Sequence, residues 1–269
     1  MLIAFIGGGN MATALLSGLV KSGDPGLDIR VADPSKDARA RLQSIFSVFT
    51  CGKAAEAATG ADVIVLAVKP QVVPAVLAEL GGIVKPGQLI LSIAAGTTIN
   101  AISGQLTPGQ AVIRSMPNTP ALVGEGISVL CAGEHCRAHH REQAARVLRA
   151  AGEVIWLEDE SLMDAVTAIS GSGPAYFFFL TEALAAAGVR LGLPQDVSRR
   201  LAEQTCAGAG AMIRSSDADA AELRRRVTSP GGTTEAALAA LTRGEFAELV
   251  FEAAAAAEKR GSELSRATN

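Results

Sequence analysis

Three glycines between an apolar run and the start of a polar helix are the first residues of this chain with an evident chemical use. Leu2–Ile6 reads LIAFI and leads into Gly7-Gly8-Gly9, followed by Asn10, Met11 and Ala12. The spacing fits G-x-G-x-x-A, in which Gly7 permits a tight turn, Gly9 lets backbone approach a pyrophosphate, and Ala12 lets the helix lie close to the strand. The amides and dipole of that helix start suit phosphate. Asp33 ends the second expected strand, roughly 20 residues after the glycines, where a carboxylate accepts from a ribose 2′-hydroxyl. Such a contact favours NADH and repels the 2′-phosphate of NADPH. Ser35, Lys36 and Arg39 follow at once and could hold that phosphate if Asp33 turned away, although a solvated helix face is the plainer reading of the two cations. The choice between NADPH and NADH stays open.

Other segments place polar groups at the C-terminal ends of expected strands, where ligands bind in open α/β sheets. Val68-Lys69-Pro70 follows one strand and Ala94-Ala95-Gly96 another. Lys69 could act in catalysis or merely end its strand. Ser115–Pro120, SMPNTP, forms a stiff loop at a third strand end, or a simple turn. Thr167–Tyr176, TAISGSGPAY, reads as a helix start with Ser172 or Gly173 as N-cap and Pro174 in the first turn. Thr228–Thr234, TSPGGTT, opens another helix, and its glycines and threonines make a backbone nest for an anion as well as a cap. The expectation is φ > 0 at Gly232.

A further cluster, Cys131, His135, Cys136, His139 and His140, straddles a strand end and a helix start and lacks regular zinc-ligand spacing, so no metal is expected. An enzyme of the β-hydroxyacid dehydrogenase type would need a catalytic lysine in the second half. Lys259 is the only lysine after Lys85, and it lies in a polar helix. A sensor of dinucleotides without turnover would have no need of the TSPGGTT nest.

These loops require elements to hold them. Strands are expected at Leu2–Ile6, Asp28–Asp33, Phe46–Thr50, Asp62–Val68, Gln88–Ile93, Ala111–Met116, Ile127–Cys131 and Glu153–Leu157. Several are apolar throughout, as strands covered on both faces are. Helical patterns alternate with them at Asn10–Lys21, Lys36–Ile45, Gln71–Leu80, Asn100–Leu106 and Arg137–Ala151. The rhythm implies an α/β protein with a parallel, doubly wound sheet of Rossmann type. Beyond Leu157 the strand pattern stops and Ala-, Leu- and Glu-rich helices take over. The expected domains are a dinucleotide-binding domain over 1–158 and an α-helical domain over 159–269, with the tail from Ser262 frayed. Helices so rich in alanine bury little area each, so this half should gain from packing against a second subunit.

Composition agrees with that outline. Of 269 residues 49% are hydrophobic and 19% charged, which excludes disorder, and the net charge of −3 with 4% aromatics argues against nucleic acid as partner. Apolar runs are broken before they could span a bilayer. No basic segment precedes Leu2, so a cytoplasmic location is expected, with the four cysteines reduced.

FIGGGNMA, LAVKP, SIAAG, RSMPNTPA, DAVTAISGSGPAY and RRRVTSPGGTTEAAL, spanning Phe5 to Leu238, resemble the motifs of the pyrroline-5-carboxylate reductase family, in its order. The resemblance implies a Rossmann domain followed by an all-α dimerisation domain, homo-oligomers, and reduction of 1-pyrroline-5-carboxylate to L-proline, the last step of proline biosynthesis, by NADPH or NADH. By motif, Ile6, Gly7, Gly8, Gly9, Asn10 and Met11, then Ala67, Val68, Lys69 and Pro70, then Ala94, Ala95 and Gly96, would contact the cofactor. Ser229, Gly231, Gly232, Thr233 and Thr234 would contact the substrate, and Thr234, the expected catalytic residue, would hydrogen-bond the ring nitrogen. Members often carry an asparagine where this chain has Ala54, which alters part of the adenosine contact.

Overall fold

The structure, a computed structural model, describes residues 1–268. They form two compact units, one of Met1–Ser172 together with the chain from Ala256 onward, the other of Gly173–Ala255.

The first unit is built on a single eight-stranded sheet. Its strands are β1 (Leu2–Ile6), β2 (Asp28–Ala32), β3 (Phe49–Cys51), β4 (Val63–Leu66), β5 (Leu89–Ser92), β6 (Ala111–Met116), β7 (Gly126–Ala132) and β8 (Gly152–Leu157), in the order β3-β2-β1-β4-β5-β6-β7-β8. Helices α1 (Asn10–Lys21), α2 (Lys36–Phe46), α3 (Ala54–Ala58), α4 (Val73–Leu80), α5 (Ile99–Ser103) and α6 (Ala138–Arg149) link them. Alternate residues of β1 feed two cores. Ile3 and Phe5 join Leu15 and Leu16 of α1 on one face, while Ala4 and Ile6 join Ala57 of α3 and Leu77 of α4 on the other. Burial on both faces explains the unbroken apolar run of β4, all of whose residues are buried.

Chain order reverses about β1, whose neighbours are β2 and β4. That reversal opens a crevice beyond the strand ends where ligands bind in such sheets. The doubly wound expectation holds, with one departure. β7 runs antiparallel to β6, because the link between them holds only a short 3-10 turn at Thr119–Val123, and a parallel return needs a crossover of a dozen or more residues. Several boundaries also shift by one to three residues. α2 runs on to Phe46 and ends at Ser47 in the left-handed region (φ 53°), so β3 begins only at Phe49. α3 was not expected at all.

After β8 come α7 (Met163–Val166) and a π turn at Thr167–Gly171, closed by Ser172 N–H donating to the Thr167 carbonyl at 2.8 Å. The acidic stretch Glu158–Glu160, expected to part the domains, therefore lies inside the first unit.

The second unit contains α8 (Gly173–Arg190), α9 (Gln195–Ser215), α10 (Ala220–Arg226), α11 (Thr233–Arg243) and the first part of α12 (Phe246–Thr268). α8 and α9 pack as a hairpin, in which Ser198 Oγ donates to the Ala185 carbonyl at 2.7 Å. Phe177, Phe178 and Phe179 on α8 are 62%, 68% and 72% exposed in the single chain. The last turns of α12 belong to the first unit, where Ser265 is buried. The tail expected to fray from Ser262 is helical through Thr268, with Asn269 outside the described residues. No described helix is long and apolar enough to cross a membrane.

Candidate active site

In the first unit the glycine turn is fixed from three sides. Gly7 has φ +104°, and a methyl there would lie 2.5 Å from the Ala67 carbonyl oxygen and 2.9 Å from Val68 Cγ1, so the β1 and β4 loops meet where no side chain fits. Gly8 is held at both ends. Its N–H donates to Asp33 Oδ2 at 2.9 Å and its carbonyl accepts from Arg41 Nη2 at 3.2 Å. Asp33 Oδ1 in turn accepts the Ser35 N–H at 2.8 Å. Gly9 caps α1 with no side chain, and a methyl on it would meet nothing within 4 Å. Open space in front of Gly9, beside the unbonded first amides of α1, is the cradle a pyrophosphate needs.

Asp33 and the glycines come together as the spacing requires, with the carboxylate acting as a brace of the turn. Arg39 Nη1 donates to the carbonyls of Asp33 (2.6 Å) and Pro34 (3.1 Å), which seats its guanidinium at the end of β2 beside Asp33. Arg41 was missed in the sequence, since a helix arginine after several polar residues looks like any solvated cation.

The β4 and β5 ends complete this edge. Lys69 is exposed and caps the 3-10 turn Pro70–Val72. Ala94 N–H donates to the Ser92 hydroxyl at 3.3 Å, Ala95 is exposed, and Gly96 is buried with φ +73°. Two buried hydroxyls, Thr97 Oγ1 after β5 and Ser115 Oγ in β6, have no hydrogen-bond partner. Orphaned hydroxyls at adjacent strand ends fit a site built for a polar ligand group. In the SMPNTP loop Asn118 has a bracing task, accepting from Ile127 N–H at 2.9 Å and donating to the Ser170 carbonyl at 3.2 Å.

In the second unit, TSPGGTT turns from α10 into α11. Thr228 Oγ1 donates to the Arg224 carbonyl at 2.6 Å. The left-handed residue is Gly231 (φ +70°), whereas Gly232, the expected one, is the N-cap with φ −85°. Gly231 N–H donates to Glu235 Oε2 at 2.7 Å and Gly232 N–H to the Ser229 carbonyl at 3.0 Å. Both glycine amides therefore shape the turn. The amides free of an intrahelical acceptor are those of the first helical turn, Thr233, Thr234 and Glu235, and Thr234 is half-buried among them.

The Cys/His cluster disperses. Cys136 Sγ lies 3.1 Å from the Val112 carbonyl, Cys131 is buried in β7, and His140 accepts from Arg137 N–H at 3.2 Å through Nδ1 with Nε2 3.3 Å from the Gly87 carbonyl. Burial pushes the Cys51, Cys131 and Cys136 thiols up, away from thiolate character. Among the described residues no group of three or more His, Cys, Asp or Glu could hold a metal.

Fold and site define a dinucleotide-binding α/β protein with an all-helical second unit that carries the glycine-rich turn at the start of α11. Two family models match, pyrroline-5-carboxylate reductase dimerisation over residues 160–264 and NADP oxidoreductase coenzyme F420-dependent over residues 2–96. A pyrroline-5-carboxylate reductase of Pseudomonas aeruginosa is 48% identical over 98% of this chain and 96% of its own length. The structure of such a reductase from Coxiella burnetii superposes with a TM-score of 0.92 at 40% identity, covering 97% of each chain. That of a Plasmodium falciparum pyrroline carboxylate reductase with NADP bound gives 0.85 at 29% identity over 98% of each. The chain belongs to the pyrroline-5-carboxylate reductase family.

Proposed function

We propose that this protein reduces 1-pyrroline-5-carboxylate to L-proline, using NADPH or NADH, as a homo-oligomer in the cytoplasm. The carrying observation is the TSPGGTT turn. It offers a bundle of helix-start amides to a carboxylate, in a chain whose other unit holds the glycine cradle for a dinucleotide.

The bound nicotinamide supplies a hydride. What the chain supplies is binding, orientation and exclusion of water. Gly7–Gly9 and the start of α1 take the pyrophosphate, with Ile6, Asn10 and Met11 around it. Ala67–Pro70 and Ala94–Gly96 would hold the nicotinamide end. The amides of Thr233 and Thr234 satisfy the substrate carboxylate, whose burial without donors would be prohibitive, and Ser229, Gly231 and Gly232 give the turn its shape. Orientation of the two reactants is then the main source of rate. Thr234 Oγ1 hydrogen-bonds the ring nitrogen and holds it in place. As a hydroxyl it is a poor acid, so the imine arrives protonated as the iminium, or its ring nitrogen takes a proton from solvent as the hydride adds to carbon.

For the dinucleotide, Asp33 supports NADH and the seated Arg39 supports a 2′-phosphate, so both are accepted. The exposed phenylalanines of α8 support the oligomer.

The test is turnover with two imines. Oxidation of NADPH or NADH is expected with 1-pyrroline-5-carboxylate. 1-Pyrroline, which leaves the amides unpartnered, should be slower in kcat/KM by about 5- to 150-fold, for roughly 1–3 kcal/mol. Equal rates would remove the carboxylate nest.

A further inference from the structure

Arg114 lies in β6 with its side chain 5% exposed. A buried guanidinium requires charged partners, and it has two. Nη1 is 3.0 Å from Glu160 Oε1 and Nη2 is 3.7 Å from Asp164 Oδ1. Each carboxylate also holds something else. Glu160 Oε1 accepts the N–H of Ile99, the first residue of α5, at 2.9 Å. Asp164 Oδ1 accepts the Ser265 hydroxyl at 3.3 Å. A methyl built on Gly96 would lie 3.4 Å from Ser265 N and Oγ, so the end of α12 comes alongside that glycine. Residues 96–99 are thus flanked at one end by Ser265 beside Gly96 and bonded at the other by Glu160 to Ile99, and both flanking residues lead to one guanidinium.

We propose that Arg114 is a positioning residue for hydride transfer, which fixes the Ala94–Gly96 loop through Glu160 on one side and Asp164 with Ser265 on the other. This rests on the reading of that loop as part of the dinucleotide site. Two carboxylates, each passing its hold to an end of the same short segment, set the height of the loop on which a nicotinamide must lie.

The test uses full-length protein carrying Ser265→Ala, Glu160→Gln, Arg114→Gln or Arg114→Lys. NADPH affinity is read by fluorescence, amide exchange over residues 97–99 by mass spectrometry, and thermal stability beside kcat and KM. Ser265→Ala and Glu160→Gln should each lower kcat about 3- to 10-fold, the scale of one lost hydrogen bond. Exchange over 97–99 should quicken and NADPH binding weaken, while KM for 1-pyrroline-5-carboxylate holds. Arg114→Lys should retain more of kcat than Arg114→Gln. Should Arg114→Gln fail to fold, the two milder variants decide. Lower stability with unchanged kcat, NADPH affinity and loop exchange would reduce Arg114 to a structural tie and overturn the proposal. Wild-type protein that binds NADPH but does not turn over 1-pyrroline-5-carboxylate would instead overturn the function. In that case the NADPH affinity and exchange of the variants still decide the clamp.

Discussion

Asp33 braces Gly8 with one carboxylate oxygen and Ser35 with the other, so replacing it alters both the turn and the charge at the ribose. Asp33→Ser should weaken both dinucleotides through the turn, but NADH more. Loss of a charge-assisted contact to the 2′-hydroxyl is worth about 1.5–3 kcal/mol, roughly 10- to 150-fold in kcat/KM. Measuring kcat/KM for both cofactors checks this, and an unchanged ratio would take Asp33 out of the 2′ site. His140 carries a different expectation. Its Nδ1 accepts from Arg137 N–H and its Nε2 faces the Gly87 carbonyl, so the neutral ring with its proton on Nε2 fits. Burial, ahead of the neighbouring His139 and Arg137 charges, pushes its pKa below the ordinary 6.5. The unfolded chain then binds the extra proton more readily, so this contribution is complete above pH 6.5 and is lost as pH falls toward the folded value. Urea midpoints at pH 7.5 and 5.5 should differ less in His140→Gln than in wild type; an equal drop in both would exclude this histidine. Gly7, Gly8, Gly9 and Asp33 were legible because a glycine pattern between strand and helix has few other uses. Arg41 and Arg114 were not, because the partners that define them lie 33 and 46 residues away in the chain.

For the elements, the start of α11 gives the sharpest contrast. Gly231 has φ +70° with nothing within 4 Å of a methyl, so a side chain there is opposed by backbone conformation alone. The left-handed region costs a β-branched residue roughly 1–2 kcal/mol. Gly231→Val should therefore raise KM for 1-pyrroline-5-carboxylate about 5- to 30-fold, leaving NADPH affinity unchanged. Gly232→Ala places a methyl 3.0 Å from the Ser229 carbonyl oxygen in an ordinary conformation and should cost less. The reverse ranking, in steady-state kinetics, would reject this geometry. Strands β1, β4 and β5 were readable as apolar runs because both their faces are covered. The reversal of β7 was not, since an antiparallel strand in the interior of a sheet is as apolar as a parallel one. Ala54–Ala58, AAEAA, is too short for a period to show, and α3 was overlooked for that reason.

On the scale of the whole molecule, Phe177, Phe178 and Phe179 leave more apolar surface on α8 than a lone chain would keep, since burying each is worth about 1.5–3 kcal/mol. Light scattering should give at least a dimer in dilute buffer, and Phe178→Asp should shift it toward monomer; an active wild-type monomer would refute the assembly. The change from α/β to all-α was legible in composition. The true course of the chain was not, because the helical pattern of α12 runs unbroken from one unit into the other. That course also sets an order of completion during synthesis. β1 through the π turn emerge first, and Gly173–Ala255 must follow before Ser265 exists. At roughly 5–20 residues per second that interval is on the order of ten seconds. A nascent chain can thus form its glycine turn early, while the approach of Ser265 to Gly96 waits for the later turns of α12. Truncation before Ser265 should therefore remove the hydroxyl that Asp164 accepts, while the Gly7–Gly9 turn keeps the bonds from Asp33 and Arg41 that hold it.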